Sequence, residues 1–365
     1  MVFGPWLWRE QDMTINIGAD VHSKSISAYA IPTFDTESEE LEFCEEFNSR
    51  FAKFRNDYES LSDLAAFVRD KEHGILVENT GFTNVLYWTL VNLGCTIIVA
   101  LPTDLYEINQ SKQKTDANDA KKLANYMRRR TLGETCFAEC LMVDEVWMNR
   151  RVICRNYVTE SEILSDTRRQ LRSYILLKNL KPGKLTTDIA SATSLASLSY
   201  YNDKPLALLI TRARDTRLRM DLTLKDIQEE FGDEPMYLIT KSIKGFGPVI
   251  SAYLCSMIID INRFTTGNQF AAYFGIVPGQ RESAESSPHC RITRRGDATA
   301  RHLLTKATKL HIQFDKDRES SVSRMYDRLK SRGFPTKKAL MACTNKMAHI
   351  LFARLKAVSD GKEVV

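Results

Sequence analysis

The stretch Lys114-Thr-Asp-Ala-Asn-Asp-Ala-Lys-Lys122 places two carboxylates, Asp116 and Asp119, three positions apart. On a helix this spacing puts both side chains on one face, where two like charges repel each other. Magnesium ions would reverse that cost, because hard divalent cations prefer carboxylate oxygens. The lysines around the pair suit a site that a polyanion approaches. The structural alternative is a solvated helix start in which Asp116 is the N-cap.

The segments before this stretch decide the fold class. Residues 14–20 alternate apolar with small or polar side chains, as a strand does, and apolar runs then alternate with stretches of helical spacing. This order predicts an α/β sheet with helices on its faces. The predicted strands are 14–20, 26–31, 75–78 and 96–100, and the predicted helices cover about 61–68 and 83–93. The phenylalanines at positions 43, 47, 51 and 54 fit either a third strand or a helix.

Two more carboxylates stand at predicted strand ends. Asp20 ends the first strand and Glu78 ends a central one. Because active sites of open α/β sheets lie beyond the carboxyl ends of the strands, these two and the pair at 116 and 119 are expected to converge. Two metal ions roughly 4 Å apart could then clamp both reacting oxygens of a phosphodiester. Each carboxylate alone has a structural explanation as a cap or turn residue; the four in this order predict a ribonuclease-H-like nuclease fold.

Charge is distributed unevenly along the chain. The net charge is only +5 over 365 residues, yet three separate blocks are strongly basic. Such blocks favour a nucleic-acid partner over a membrane, although each block alone also fits a solvated helix face. The basic blocks are 112–130, 150–172 and 291–306.

Several classes of protein are disfavoured. No apolar run reaches the length of a membrane span, and the first residues lack the pattern of a signal peptide. The eight Cys residues show no zinc-ligand spacing, so reduced thiols in a cytoplasm are the simplest account. Residues 1–12 precede Met13 and are interpreted as an N-terminal extension.

The middle of the chain changes character. Residues 141–235 are dense in charge and sparse in Gly and Pro, with apolar residues at helical spacing. They predict two long helices joined through 181–203, as an antiparallel or intersubunit coiled coil. Arg168 and Arg172 would line one helix, either as a solvated surface or as a face that follows nucleic-acid phosphates.

The last part, residues 236–365, is predicted to be a small α-helical domain. Gly245 and Gly247 interrupt two helical patterns in a way that predicts a helix–hairpin–helix turn, whose backbone N–H groups could bind a DNA phosphate beside Lys244. A Ser-rich loop follows. A serine that attacks a phosphodiester needs nearby cations, and this loop offers Arg291, Arg294 and Arg295.

Together these residues resemble the transposases of the insertion-sequence 110 family, relatives of the Piv-type DNA invertases. The family's first carboxylate falls on Asp20 in Gly-Ala-Asp-Val-His and its second on Glu78 in Val-Glu-Asn-Thr-Gly. The last two fall on Asp116 and Asp119 in Lys-Thr-Asp-Ala-Asn-Asp-Ala. The resemblance implies a RuvC-like Asp-Glu-Asp-Asp (DEDD) domain over 13–140, a coiled-coil linker, and a C-terminal transposase domain with an essential serine.

The C-terminal signature of that family lies over Gly275-Ile-Val-Pro278 and Ile292-Thr-Arg-Arg-Gly-Asp297, and on this register its serine falls on Ser283. The sequence departs from the signature at three positions. Ala284 replaces the usual Gly, and the signature's Lys and Asn are here Arg294 and Asp297.

The first departure leaves Ser286 and Ser287 open as alternative nucleophiles. The resemblance further implies an RNA-guided DNA recombinase that uses two Mg²⁺ ions and an element-encoded bridge RNA on donor and target double-stranded DNA. It also implies a homo-oligomer, dimer or tetramer, with composite active sites. The rivals are a metal-dependent junction resolvase or nuclease that uses water, and a non-catalytic nucleic-acid-binding scaffold.

Overall fold

The computed structural model describes residues 15–109, 115–279 and 292–361. The chain forms two compact units, Met1–Asp144 and Glu145–Val365. The finer division predicted from the sequence stays a prediction; it runs 1–12, 13–140, 141–235 and 236–365. Among the described residues, no helix combines the length and the apolar character that crossing a membrane would require.

A five-stranded mixed sheet organises the first unit. The strand order is β3-β2-β1-β4-β5, which puts β1 at the centre. β1 pairs antiparallel with β2 and parallel with β4, and β4 pairs parallel with β5. The α/β class predicted from the sequence is therefore confirmed. The strands are β1 Ile15–Val21, β2 Ser25–Pro32, β3 Phe54–Arg55, β4 His73–Glu78 and β5 Ile97–Ala100.

The phenylalanine-rich segment is a helix and not a strand. Phe43, Phe47 and Phe51 are buried along α1, and each ring contacts Phe67. Their spacing of four residues places them on one helical face. The helices of this unit are α1 Glu37–Phe51, α2 Tyr58–Val68, α3 Thr83–Asn92, α4 Tyr106–Asn109 and α5 Asp116–Thr131.

The two faces of the sheet are covered by different helices. On one face, Ile15, Ile17 and Val77 pack in a common core with apolar residues of α1, α2 and α3. On the other face, Leu76 packs with Leu123 and other residues of α5. Side chains of a strand alternate between faces, so residues 16, 18 and 20 of β1 point towards α5.

The second unit is helical; in its described part the strand-type pairing is a single bridge, Pro278 with Ile292. One large core joins α9 to α14 with parts of α6 and α8. The helices are α6 Glu145–Leu177, α7 Ala192–Leu198, α8 Lys204–Phe231, α9 Pro235–Ser242, α10 Pro248–Ile258, α11 Gly267–Tyr273, α12 Ala298–Phe314, α13 Ser321–Ser331 and α14 Thr336–Ser359.

Helices α6 and α8 are the two long helices predicted from the sequence, and they run antiparallel. Near the start of α6, Arg150 binds Glu234 just beyond the end of α8, at 3.1 Å. Near the end of α6, the Tyr174 hydroxyl donates to Asp203, the N-cap of α8, at 2.7 Å. The start of α6 therefore lies beside the end of α8, and the end of α6 lies beside the start of α8. A coiled-coil geometry for this pair stays a prediction.

Candidate metal centre

Gly18 allows α5 to lie directly on β1. A Cβ at this position would overlap the carbonyl oxygen of Ala120 and the amide nitrogen of Ala124. Farther along the same pair, the Thr131 hydroxyl donates to the Asn16 side chain at 2.8 Å. Helix and strand therefore run antiparallel. Since two strand residues rise about as far as one helical turn, the first turn of α5 reaches the level of residue 20.

The first turn of α5 brings Asp116 beside Asp20. His22 stands between them, with its Nε2 3.4 Å from Asp20 Oδ2 and 3.3 Å from Asp116 Oδ1. One ligand atom from each of these three residues lies within 4.8 Å of the others. Lys53 Nζ is 3.7 Å from the second carboxylate oxygen of Asp116. The imidazole of His22 thus contacts both carboxylates, and the ammonium of Lys53 contacts Asp116.

The other two predicted carboxylates lie close to this cluster in the sheet and on the helix. The parallel pairing of Ala19 with Val77 puts Asp20 and Glu78 next to each other, one residue beyond the last pair. Asp119 is in the first turn of α5, and its Oδ1 lies 3.3 Å from Lys122 Nζ. The fold therefore brings the strand carboxylates and the helix carboxylates to one edge of the sheet.

Electrostatics at Asp20 reflect this crowding. Burial raises the pKa of the Asp20 carboxyl, His22 opposes the shift, and the charges of Asp116 and Asp119 raise it further. Neighbouring negative charges make the ionised form of this carboxyl less stable. A bound cation would stabilise the ionised form, because it cancels those repulsions. The crowding of carboxylates around Asp20 is thus compatible with a bound cation.

The alternative assignment of Asp116 as a helix cap is wrong. Thr115 is the N-cap of α5, and its hydroxyl accepts from the Asn118 amide at 3.3 Å. Asp116 is then the first helical residue, with its carboxylate turned towards His22. A cap at 115 leaves the carboxylates of the first turn available to other partners.

His22 was not singled out by the sequence. It sits in the β1–β2 turn, where its amide donates to the Ser25 carbonyl at 2.9 Å, and its own carbonyl accepts from Asn56 Nδ2 at 2.9 Å. These bonds fix the turn from which the imidazole reaches the carboxylates. A single histidine in a hairpin turn has no periodicity or spacing that indicates a role; its proximity to Asp20 in Gly-Ala-Asp-Val-His is the one local signal.

The donor set fits a hard divalent cation. Carboxylate oxygens suit Mg²⁺ and Mn²⁺, whereas an imidazole nitrogen suits transition metals such as Zn²⁺. Asp20, His22 and Asp116 are the residues whose ligand atoms lie close enough together to hold one ion. Such an ion would supply charge stabilisation at a reacting phosphodiester.

The predicted serine loop lies in the second unit, and its base is described on both sides. Thr293 N donates to the Val277 carbonyl at 2.9 Å, and Arg294 N donates to the Gly275 carbonyl at 3.2 Å. Gly275 has φ +65, and a Cβ there would overlap the carbonyl oxygen of Arg295. The family-like segments Gly275–Pro278 and Ile292–Asp297 therefore pair directly. Ser283, Ser286, Ser287 and Arg291 lie outside the described residues.

Asp297, a departure from the family signature, is the N-cap of α12. Its Oδ1 accepts from the Ala300 amide at 2.7 Å and lies 3.2 Å from the Tyr253 hydroxyl, while its Oδ2 is 3.8 Å from Arg155. Asn and Asp are about equally good N-caps, so this departure preserves the structural role. Arg294, the second departure, is exposed and has φ +55.

The structure gives some predicted nucleic-acid contacts a packing role. Gly245 has φ +96 and faces α12, where a Cβ would lie 2.6 Å from the His311 amide nitrogen. The glycine is thus required by close approach of the α9–α10 turn to α12. The Lys244 carbonyl accepts from His311 Nδ1 at 2.8 Å, and Lys244 itself and Gly247 are exposed.

The two arginines predicted on α6 differ from each other. Arg168 binds Asp188 with both Nε, at 2.8 Å, and Nη2, at 2.9 Å. Arg217 binds the same carboxylate. The fork of Arg168 is therefore occupied within the protein, while Arg172 is exposed.

Comparison with known proteins agrees with this architecture. A transposase family model for the DEDD domain of IS110 elements matches residues 17–177, and the model of the transposase IS116/IS110/IS902 family matches residues 238–323. A family 20 transposase of Pseudomonas aeruginosa is 23% identical over 276 residues, which cover 74% of this chain and 80% of that protein.

The transposase for insertion sequence element IS1111A of Coxiella burnetii is 23% identical over 291 residues, which cover 77% of each chain. The matched domains, in the same order as the predicted ones, confirm the resemblance stated from the motifs. The chain belongs to the IS110 family of transposases.

Proposed function

We propose that this transposase recombines DNA by metal-assisted strand exchange through a covalent serine–DNA link. The observation that supports this proposal most directly is the convergence of Asp20 and Asp116 on His22, with a carboxyl at Asp20 whose pKa is raised by burial and by its neighbours. A site of this kind is costly for the folded protein without a cation. Its place at the carboxyl ends of parallel strands is where open α/β sheets bind substrates.

In this proposal Asp20, Glu78, Asp116 and Asp119 hold two Mg²⁺ ions. The ions would stabilise negative charge on the oxygens of the scissile phosphate. The protein positions these carboxylates through the β1–α5 contact at Gly18, so their geometry is set before DNA binds. Preorganisation of this sort is what makes charge stabilisation effective.

Ser283 is the proposed nucleophile. Its Oγ forms a bond to phosphorus, one P–O bond of the DNA backbone breaks, the departing DNA oxygen takes a proton, and the serine hydroxyl loses one. The phosphoserine ester retains the energy of the broken ester, so a DNA hydroxyl can later displace the serine without a high-energy cofactor. Support comes from the pairing of Gly275–Pro278 with Ile292–Asp297, which brings the exposed Arg294 and Arg295 to the base of the loop.

The polyanionic partners belong to the same proposal. Donor and target double-stranded DNA, a guide (bridge) RNA and a homo-oligomer with composite active sites rest on the family resemblance. The exposed cations Arg172 and Lys244 are consistent with phosphate contacts. For Arg168 and Gly245 a packing role already accounts for the residue.

A trapping experiment tests the proposal. The purified chain, with Mg²⁺, is incubated with DNA that carries its element ends and is then denatured, and DNA that remains attached to protein is measured. We expect an adduct in the wild type, with strand exchange abolished in Asp20→Asn and Asp116→Asn and thermal stability nearly unchanged. Free DNA ends without an adduct would identify a nuclease that uses water. DNA binding without cleavage or adduct would identify a scaffold.

A further inference from the structure

A cationic surface lies on α13 and the start of α14, outside every basic block noted in the sequence. The two helices are joined by a short turn at residues 332–335. Over residues 320–349 the sequence contains a single carboxylate, Asp327. The cations in question all have exposed side chains, and they are named here the α13–α14 basic surface: Arg324, Arg328, Lys330, Arg332, Lys337 and Lys338.

None of these six cations is ion-paired with a carboxylate among the residues that the structure describes. Asp327 is already occupied, because its Oδ2 lies 3.0 Å from Nε of Arg318. The contacts that are formed go to neutral groups. Arg324 Nη1 donates to the Glu319 carbonyl at 2.8 Å, and Lys330 Nζ donates to the Phe334 carbonyl at 3.2 Å.

Three of the arginines lie along one face of α13. Arg324, Arg328 and the helix C-cap Arg332 follow one another at intervals of four residues, so their charges line one face of α13. Like charges at this spacing destabilise a helix by a few tenths of a kcal/mol for each pair. The one carboxylate on α13, Asp327, is ion-paired with Arg318 and not with this row of arginines. The opposite face carries Val322 and Leu329, both buried.

The turn that presents these charges is held in a defined shape. Lys330 Nζ also donates to the Thr336 hydroxyl at 3.1 Å, which ties the end of α13 to the start of α14. Gly333 has φ +79, a conformation that other residues rarely adopt. The guanidinium of Arg332 lies 5.7 Å from the ring centre of Phe334, which is 38% exposed. These contacts fix the turn between α13 and α14 and the side chains of Lys330 and Arg332 beside it.

We propose that the α13–α14 basic surface binds the phosphodiester backbone of duplex DNA. A row of unpaired arginines on one helix face matches a regular line of phosphates, and release of the counterions would supply the binding free energy. The matched C-terminal family model ends at residue 323, before the first of these cations. The proposal rests on the proposed function for the choice of DNA over other polyanions. The contact is to phosphates and carries no sequence preference.

The experiment measures binding of the full chain to a fluorescent duplex of random sequence over a range of salt concentrations, in EDTA so that no chemistry occurs. The variant is Arg324→Gln/Arg328→Gln/Arg332→Gln. The matched control removes three exposed cations of α8, Arg212→Gln/Arg214→Gln/Lys225→Gln. We expect the first variant to bind more weakly and to flatten the slope of log K against log salt by about 2–3, since each lost phosphate contact removes about 0.9.

Three outcomes decide the matter. A slope that is unchanged in the first variant, or reduced equally in the control, overturns the proposal. The same measurement is repeated with a structured RNA of equal charge as the probe. If the first variant loses affinity for the RNA and not for the DNA, the assignment to DNA is overturned. A second variant, Lys337→Gln/Lys338→Gln, removes two other cations of the same surface and should flatten the slope by about 2. It tests the surface independently if the first variant does not fold. Because no catalysis is measured, failure here leaves the serine–DNA adduct to its own test.

Discussion

Gly18 and Ala120 are in backbone contact, with no space for a Cβ between the strand and the helix carbonyl. This contact fixes how α5 lies on β1 and so fixes Asp116 against Asp20. A side chain at position 18 would move the helix as a rigid body, because the atoms in its way belong to the backbone.

We therefore predict that Gly18→Ala lowers the free energy of unfolding by roughly 1–3 kcal/mol, as overpacked sites do, and abolishes metal binding. Thermal unfolding with and without Mg²⁺ measures both effects. Gly81→Ala is the matched control, since a Cβ at Gly81 meets no atom within 4 Å. A Gly18→Ala protein that Mg²⁺ stabilises as strongly as the wild type would show that the β1–α5 contact does not position the site.

His22 gives the site a ligand of a different kind from the carboxylates. Removal of its imidazole in His22→Ala should weaken Zn²⁺ binding more than Mg²⁺ binding, because imidazole favours Zn²⁺ and Mg²⁺ prefers oxygen. Even outer-shell partners contribute about 10–100-fold to metal affinity, so the expected loss for Zn²⁺ is at least about 10-fold. Calorimetric titration of each ion measures the ratio.

Lys53→Ala is the control for charge, since Lys53 also contacts Asp116 but offers no ligand of comparable use to Zn²⁺. Loss of this cation should leave the ratio of Zn²⁺ to Mg²⁺ affinity unchanged. Equal losses for both ions in His22→Ala would mean that His22 only neutralises Asp20 and Asp116.

How far the sequence predicts this site depends on the kind of signal each residue carries. The position of Asp20 and Glu78 at the ends of neighbouring strands was predictable, because strand ends can be read from apolar runs and parallel strands share an edge. His22 was not, because its contact with Asp116 joins positions far apart in the chain. The role of Gly18 was hidden for the same reason: a glycine in a strand indicates close approach but not which helix approaches.

The helix α1 and the α13–α14 basic surface illustrate the same limit. Phe43, Phe47 and Phe51 recur every four residues, a spacing that a strand also allows; their contacts with Phe67 decide for the helix. In the sequence, the cations of α13 have the spacing of an ordinary solvent-exposed helix face. What distinguishes them is that Asp327 is paired with Arg318, and only the folded chain reveals that pairing.

The hydrogen-bonded carboxylate of Asp315 predicts how the stability of the second unit changes at acid pH. Ser323 and then the backbone amides of Ser320 and Glu319 donate to this carboxylate, and these hydrogen bonds hold the pKa of Asp315 well below its usual range. A depressed folded-state pKa contributes stability above the unfolded value of about 3.9 and loses it as pH falls towards the lower folded value.

Asp315→Asn should therefore be less stable than the wild type at neutral pH, and the difference should shrink below about pH 4. Urea unfolding at a series of pH values measures it. Asp317→Asn, two residues farther on and exposed, is the control and should leave the pH dependence unchanged. A difference that stays constant down to pH 2 would contradict the assigned hydrogen bonds.

The choice of nucleophile within the serine loop gives the most specific prediction. The family signature, aligned on Pro278 and Ile292, places the proposed nucleophile at Ser283. Ser283→Ala should lose both the covalent adduct and recombination, yet still bind DNA and RNA. Ser283→Cys should retain at most a trace, because a thiolate is nucleophilic but its longer bonds change the geometry of attack.

Ser286→Ala and Ser287→Ala are the matched controls and should remain active. A transesterifying hydroxyl must reach an in-line position, and a displacement of about 1 Å costs on the order of a hundredfold in rate, so serines three and four residues away cannot replace Ser283. Peptide mapping of the trapped adduct identifies the attached residue directly. DNA found on Ser286 or Ser287 would overturn the assignment of Ser283 and retain the covalent mechanism, whereas an adduct that persists in all three alanine variants would place the nucleophile outside this loop.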